Sequence, residues 1–256
     1  MKTKGTRYFV IPILSLLFFT GCIPKQATLN TRPEVQTAPW SERVVRSQNT
    51  GQEYRYLHLP GQTEGAPPLL LVHGGFLDNR NFIRVQQLSS RFELYALEMP
   101  NESPLYQGNV EDFGDVLHDF LQAVGVRDLH LAGVSAGGWW IVDLASRHTD
   151  INVRSLILIS SSMFASSEEE IEQRLANGQR ALSYEPERAR AIIEYVARRT
   201  DVEPVPGDVQ QSDIFYVRPY SYYEQLFTAL INQGAQPQRT DLINCPVLVL
   251  HGTEDD

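Results

Sequence analysis

The chain has 256 residues, of which 42% are hydrophobic, 21% charged and 10% aromatic. This is ordinary globular composition, long enough for one large α/β domain with a full core. A net charge of −9 and a pI near 5.2 argue against non-specific nucleic-acid binding, which needs clustered Lys and Arg. Two cysteines, Cys22 and Cys245, are too few for a disulfide framework.

The first residues read as a targeting segment. Lys2, Lys4 and Arg7 make a basic start, and Tyr8–Phe19 is an apolar run. A run of this length suits a signal-peptide core better than a membrane span, which needs about 20 apolar residues. Phe19-Thr20-Gly21-Cys22 follows and resembles the lipobox of bacterial lipoproteins, with Phe19 in place of the usual Leu. The resemblance implies cleavage before Cys22 and lipidation of its thiol. Ile23, not Asp, follows the cysteine, which by the habit of that class implies the outer membrane or cell envelope. A multiply acylated terminus holds firmly, whereas one acyl chain binds only marginally. A plain secretory signal or an uncleaved anchor is the alternative.

Residues 22–42 are polar, with scattered prolines and no periodicity, and read as a tether. Tyr54–Leu59 alternates as a strand does, with Arg43–Arg46 a candidate strand before it. Leu69–Val72 is a continuous apolar run, expected of a strand buried on both faces, and it ends in His73-Gly74-Gly75-Phe76. Asn81–Ser89 reads as a helix and Phe92–Met99 as the next strand. Val110–Val124 carries Phe113, Val116, Leu117, Phe120, Leu121 and Val124 on one helical face.

The rest of the chain is organised around residues 128–140. Leu129–Ala132 is a buried strand, Gly133-Val134-Ser135-Ala136-Gly137 a tight turn, and Trp139–Arg147 a helical pattern. Strand, turn and helix in this order are the context of a G-x-S-x-G nucleophile elbow. Without those flanks the pentapeptide would describe an ordinary glycine turn. Gly133 and Gly137, with Gly138, leave room for close strand–helix packing, and Ser135 is forced to the tip. The helix that follows aims its N-terminus there, which favours developing negative charge.

Val153–Ile159 is another buried strand. The alternation of strands and helices predicts a mostly parallel sheet with helices on both faces. Met163–Ile243 breaks the rhythm: roughly eighty residues stand where connections run about 4–6. Charged helical stretches at Glu168–Ala176 and Pro186–Arg199 precede Phe215, Tyr216, Tyr220, Tyr222, Tyr223 and Phe227. This reads as a helical cap whose aromatics line an apolar pocket, the alternative being a surface excursion. Cys245–Gly252 returns to a buried strand with Cys245 as a structural thiol, and Glu254, Asp255 and Asp256 close the chain.

His73-Gly74-Gly75 after a buried strand, the elbow at Ser135, and Pro246–Gly252 followed by Asp255 together resemble the α/β-hydrolase superfamily, in particular its capped, esterase-like members. The resemblance covers about residues 50–256. With the N-terminal reading, the chain divides into signal peptide (1–21), tether (22–42), core (43–162), cap (163–243), and returning strand with acid loop (244–256). Ser135 is then the nucleophile. The amides of Ala136 and of Gly75 or Phe76 form the oxyanion hole, each worth about 3–4 kcal/mol toward a tetrahedral intermediate. Asp255 is the acid that orients a histidine, with Glu254 and Asp256 the weaker substitutes. Some relatives place the acid after the preceding strand, where this chain has Ser160-Ser161-Ser162 and no carboxylate. Glu98–Ser103 departs from the Asp and small glycines usual in that loop.

No metal or organic cofactor is implied. The expected substrate is a small molecule with a carboxylic ester or similar acyl bond. Ser at the elbow tip argues against a haloalkane dehalogenase.

The family's base is a histidine beyond the acid, past one more helix and near a last strand. The six histidines, His58, His73, His118, His130, His148 and His251, all fall elsewhere. Loss of that base in a serine protease costs about 10⁶ in kcat. The strand ending at Leu250 would also be an open, apolar edge. The expectation is a fragment of a longer chain, lacking the last helix and strand. The alternative is an inactive lipoprotein that binds a ligand or partner under its cap.

Overall fold

The computed structural model describes residues 37–75, 77–161, 221–222, 225–226, 228–229 and 240–251. The expected signal peptide, Cys22, Phe76, most of the cap and residues 252–256, Asp255 among them, lie outside the described residues.

Seven strands form one sheet in the order β1-β2-β4-β3-β5-β6-β7. They are β1 (Ser41–Arg46), β2 (Glu53–Leu59), β3 (Pro68–Val72), β4 (Glu93–Leu97), β5 (Asp128–Val134), β6 (Asn152–Ile159) and β7 (Val247–Leu250). β1 and β2 pair antiparallel, as do β2 and β4. The pairs β4–β3, β3–β5, β5–β6 and β6–β7 are parallel. The mostly parallel sheet expected from the sequence is what forms.

Two-residue periodicity inside the apolar runs divides the core in two. Leu70, Val72, Leu129, Leu131, Leu156 and Leu158 point to one face, where α1 (Glu111–Val124) and α2 (Ala136–Arg147) pack. Leu69, Leu71, Leu94 and Ala96 point to the other, against Trp40 and Phe82. Helical structure thus covers both faces. The expected helix at Asn81–Ser89 is a correction in type: Asn79–Ser90 is a 3-10 helix interrupted at Val85. The break at Val85 divides it into two short runs, the form in which 3-10 helix usually occurs. The indole of Trp40 donates to the Ile83 carbonyl at 3.2 Å and ties this segment to the start of the sheet.

α1 forms because Phe113, Val116, Leu117, Phe120 and Leu121 recur at helical spacing and are all buried. Glu111 and Asp112 suit its first turn, and Gly125 ends it in the left-handed region at φ 73°. The two helices meet through Phe113 and Trp140, whose rings stack at 4.9 Å with 7° between planes. Among the described residues no helix is long and apolar enough to cross a membrane.

β7 has the apolar composition of a buried strand but stands exposed at the sheet edge, the open, apolar edge expected of the strand ending at Leu250. Val247, Leu248, Val249 and Leu250 are 47%, 51%, 60% and 45% exposed. β7 pairs only with β6, so its apolar composition, which reads as burial on both faces, meets no covering element among the described residues.

Candidate active site

β5 runs near the middle of the sheet, between β3 and β6, and delivers Ser135 to the carboxyl edge of the parallel strands. This edge is where ligands sit in open α/β sheets. Ser135 has φ 50° and ψ −119°, a conformation that side chains rarely adopt and that costs of order 1–3 kcal/mol. Three hydrogen bonds hold it there. Its amide donates to the Ile159 carbonyl at 2.9 Å. Its carbonyl accepts from the Gly138 amide at 3.0 Å and from the Ser161 hydroxyl at 2.9 Å. The side chain is exposed at the N-terminus of α2.

The glycines of the pentapeptide are required by backbone contact. A Cβ on Gly133 would stand 2.4 Å from the Gly137 carbonyl oxygen. A Cβ on Gly137 would stand 2.4 Å from the Val72 oxygen and 2.5 Å from the His73 oxygen. Backbone atoms cannot step aside as side chains do, so strand and helix close onto one another only when both positions lack a Cβ.

The His73-Gly74-Gly75 segment lies against this turn. A Cβ on Gly74 would be 3.2 Å from Ser135 Cβ, and one on Gly75 would be 3.9 Å from Ala136 Cβ. The Gly74 carbonyl accepts from the Leu77 amide at 3.1 Å. His73 is fully buried and acts as the strut. Its Nδ1 donates to the Gly74 oxygen at 2.7 Å, and its Nε2 accepts from the Met99 amide at 3.0 Å. Both ring nitrogens are used, and the pair of partners fixes the tautomer. Downstream, buried Asp78 caps the 3-10 helix through the Arg80 amide at 2.8 Å. The same carboxylate takes the buried Arg80 guanidinium, with Nε 2.8 Å from Oδ2. A charge pair this deep stands only because each partner answers the other.

From the cap region, Leu226 reaches the site: its Cδ2 would be 2.9 Å from a Cβ on Gly75. Tyr222, of the aromatics expected to line a pocket, is fully buried in the α1–α2 core cluster. Ser161, Leu226 and the Asp78–Arg80 pair escape sequence reasoning. Their contacts join elements far apart in the chain, and only the buried charge pair has a local signal, an Asp two residues before an Arg.

The structure brings Ser135, Ala136 and Gly75 together. Phe76, Asp255 and Cys22 lie outside the described residues. The approach to Asp255 is visible: the Ser160 amide donates to the Leu250 carbonyl at 2.8 Å, so the chain leaves β7 at the same edge as the elbow. Ser160 itself has φ 44°, at the place where some relatives carry their acid. Among the described residues no histidine is hydrogen bonded to Ser135. His58 contacts Glu93 at 2.8 Å, His118 contacts Asp150 at 3.0 Å, His130 contacts Ser155 at 2.7 Å and His148 contacts Asp115 at 2.9 Å. Burial, with Arg154 nearby, lowers the His130 pKa below its ordinary value.

A profile described as the Alpha/beta hydrolase family matches residues 69–256. The chain belongs to the α/β hydrolase family. Carboxylesterase YbfK of Bacillus subtilis (strain 168) is 28% identical over 107 residues, 40% of this chain and 36% of that protein. The match thus spans little more than a third of that relative's length. A solved structure of a membrane phospholipase A, described as a bacterial virulence factor, is 28% identical with a TM-score of 0.58. That alignment covers 84% of this chain and 71% of the phospholipase. The enol-lactonase of Burkholderia xenovorans LB400 shares the fold at 18% identity and a TM-score of 0.61, covering 82% of this chain and 81% of the lactonase.

Proposed function

We propose that the protein is a serine hydrolase that cleaves a carboxylic ester of an acyl lipid through an acyl-enzyme at Ser135. The observation that carries this reading is the conformation of Ser135. A serine held at φ 50° on a strand–helix turn, exposed and at a helix N-terminus, has been shaped for more than a turn. In the first step Ser135 Oγ bonds to the ester carbonyl carbon as a base takes its proton. The tetrahedral oxyanion is held by the amide of Ala136 and by that of Gly75 or Phe76. Collapse breaks the bond to the alcohol, which leaves with the proton, and water then releases the acid by the reverse sequence. Asp255, arriving from the end of β7, is the acid proposed to orient the histidine base.

Three features support a lipid ester. Leu226 brings an apolar side chain to Gly75, beside the proposed oxyanion site. The phospholipase relative acts on a lipid, as its name states. The N-terminal pattern at Cys22 would tether the domain at a membrane surface, where such substrates lie.

The test is fluorophosphonate labelling and hydrolysis of p-nitrophenyl esters of graded chain length, followed by phospholipid vesicles. Labelling at Ser135, with activity abolished in Ser135→Ala, is the expected result. Absence of labelling would overturn the reading and favour a protein that binds a ligand under its cap.

A further inference from the structure

We propose that His118, His148 and Asp150 bind a first-row divalent cation of the zinc class, at the end of α2 remote from Ser135. α2 has 12 residues, which puts its two ends about 18 Å apart. His118 lies on α1, His148 caps the end of α2, and Asp150 follows in the turn before β6. One ligand atom from each lies within 4.8 Å of the others. The two imidazole rings stack at 4.0 Å with 17° between planes. His118 Nε2 is 3.0 Å from both Asp150 oxygens, and His148 Nε2 is 2.9 Å from Asp115 Oδ1.

This is the donor set of a zinc site: two imidazoles, one carboxylate and an open side for water. Tetrahedral donors at about 2.0–2.2 Å from an ion stand about 3.4 Å apart. The ion would thus replace the proton between His118 and Asp150, that 3.0 Å contact would open slightly, and the wider separations, up to 4.8 Å, would close. Asp150 has the freedom to move, being in a turn with its side chain 45% exposed. The imidazoles are 19% and 17% exposed, open enough for an ion to enter. Asp115 supplies the outer carboxylate that orients a metal-bound histidine and raises its basicity.

Charge favours the same reading. Two protonated imidazoles face to face would repel, whereas two neutral ones can share one cation. Around them stand the carboxylates of Asp115, Asp143 and Asp150 and the guanidinium of Arg147. Glu111 also acts on Asp143, so carboxylates outnumber the one guanidinium and the surroundings favour a cation. Gln122 Nε2, 3.2 Å from His118 Nε2, is the remaining polar neighbour. A bound ion would clip α1 to the turn between α2 and β6. None of these groups belongs to the proposed catalytic machinery, so the site stands or falls independently of the esterase reading.

The test uses the full chain, stripped with a chelator and titrated with Zn²⁺ by calorimetry, with thermal unfolding followed in parallel. One saturable equivalent and a raised unfolding midpoint are expected. The double variant His118→Gln, His148→Gln should lose both, with far-UV circular dichroism reporting an intact fold. Should that variant misfold, Asp150→Asn keeps the ring stack and should bind at least about 10-fold more weakly. Asp115→Asn should weaken binding about 10–100-fold through the outer contact. No saturable binding to the parent chain, or unchanged affinity in the double variant or in Asp150→Asn, would overturn the proposal.

Discussion

At its N-terminus α2 meets the sheet through backbone alone. Gly133 and Gly137 exclude side chains, the Val72 and His73 carbonyls close to within 2.4–2.5 Å of where a Cβ on Gly137 would stand, and Ser135 is locked by three hydrogen bonds. At its C-terminus the same helix is held by charge. Arg147 bridges Asp143 and Asp115, His148 shares Asp115, and His118 stacks on His148 while contacting Asp150. Even the glycine there serves a carboxylate, since a Cβ on Gly114 would stand 2.0 Å from Asp143 Oδ2. Backbone contact is intolerant and geometrically exact, which suits a group that must present one oxygen to one carbon. Side-chain ion networks are adjustable, and each half-exposed member contributes little alone.

The comparison can be broken at several points. The largest effect is expected at the tip. Ser135→Ala should lower kcat toward esters by about 10⁶-fold, as loss of a triad serine does, and leave the urea unfolding midpoint unchanged. A drop of less than about tenfold would remove Ser135 from the chemistry.

Next comes the backbone contact. Gly137→Ala pushes a methyl into the Val72 and His73 carbonyls and should cost about 3 kcal/mol or more, with loss of activity from the displaced elbow. Urea unfolding with an enzyme assay checks both. Between the two ends, Phe113→Ala opens a cavity beneath Trp140 and should cost about 3–5 kcal/mol by the same unfolding measurement.

The charged end should answer more mildly. Arg147→Ala leaves Asp143, with a side chain only 10% exposed, without its ion pair, and should cost about 1–3 kcal/mol. Burial is already the main influence on Asp143 and raises its pKa, against the lowering by Arg147. The variant should therefore leave that carboxyl protonated at higher pH than in the parent.

The smallest effect is the acid response. At Asp115 burial is opposed by hydrogen bonds from His148 and Arg147, and the net shift is downward. The His118 hydrogen bond lowers the Asp150 pKa. Both folded values lie below the unfolded value of about 3.9. The stability they contribute is therefore present above about pH 4 and fades as pH falls through the folded values. Unfolding midpoints between neutral pH and pH 3 should show this decline, and His118→Gln should flatten it.

Much of the fold was legible in the chain because its signals are local. Continuous apolar runs at Leu69–Val72 and Leu129–Ala132 mark strands covered on both faces, and the spacing from Phe113 to Leu121 marks a helix. The pentapeptide at Ser135 was legible for a sharper reason: two positions forbid any Cβ, and only glycine satisfies them. Where the local signal described composition without a neighbour, it misled. Val247–Leu250 has the residues of a buried strand, but burial is conferred by what packs on a strand, and that is not written in the four residues. The 3-10 form of Asn79–Ser90 escaped likewise, because periodicity does not fix the hydrogen-bond pitch.

For the proposed site, sequence alone singled out the candidates: one serine between two glycines, and amides after a His-Gly-Gly segment. Tertiary structure decided what holds them in place. Met99 on His73, Ser161 on the Ser135 carbonyl and Leu226 over Gly75 are contacts between residues 26 to 151 positions apart. It also decided that His118, His148 and Asp150 share a corner. Histidines thirty residues apart become neighbours only when two helices pack, and distance in space, unlike a glycine's missing Cβ, leaves no mark on either residue.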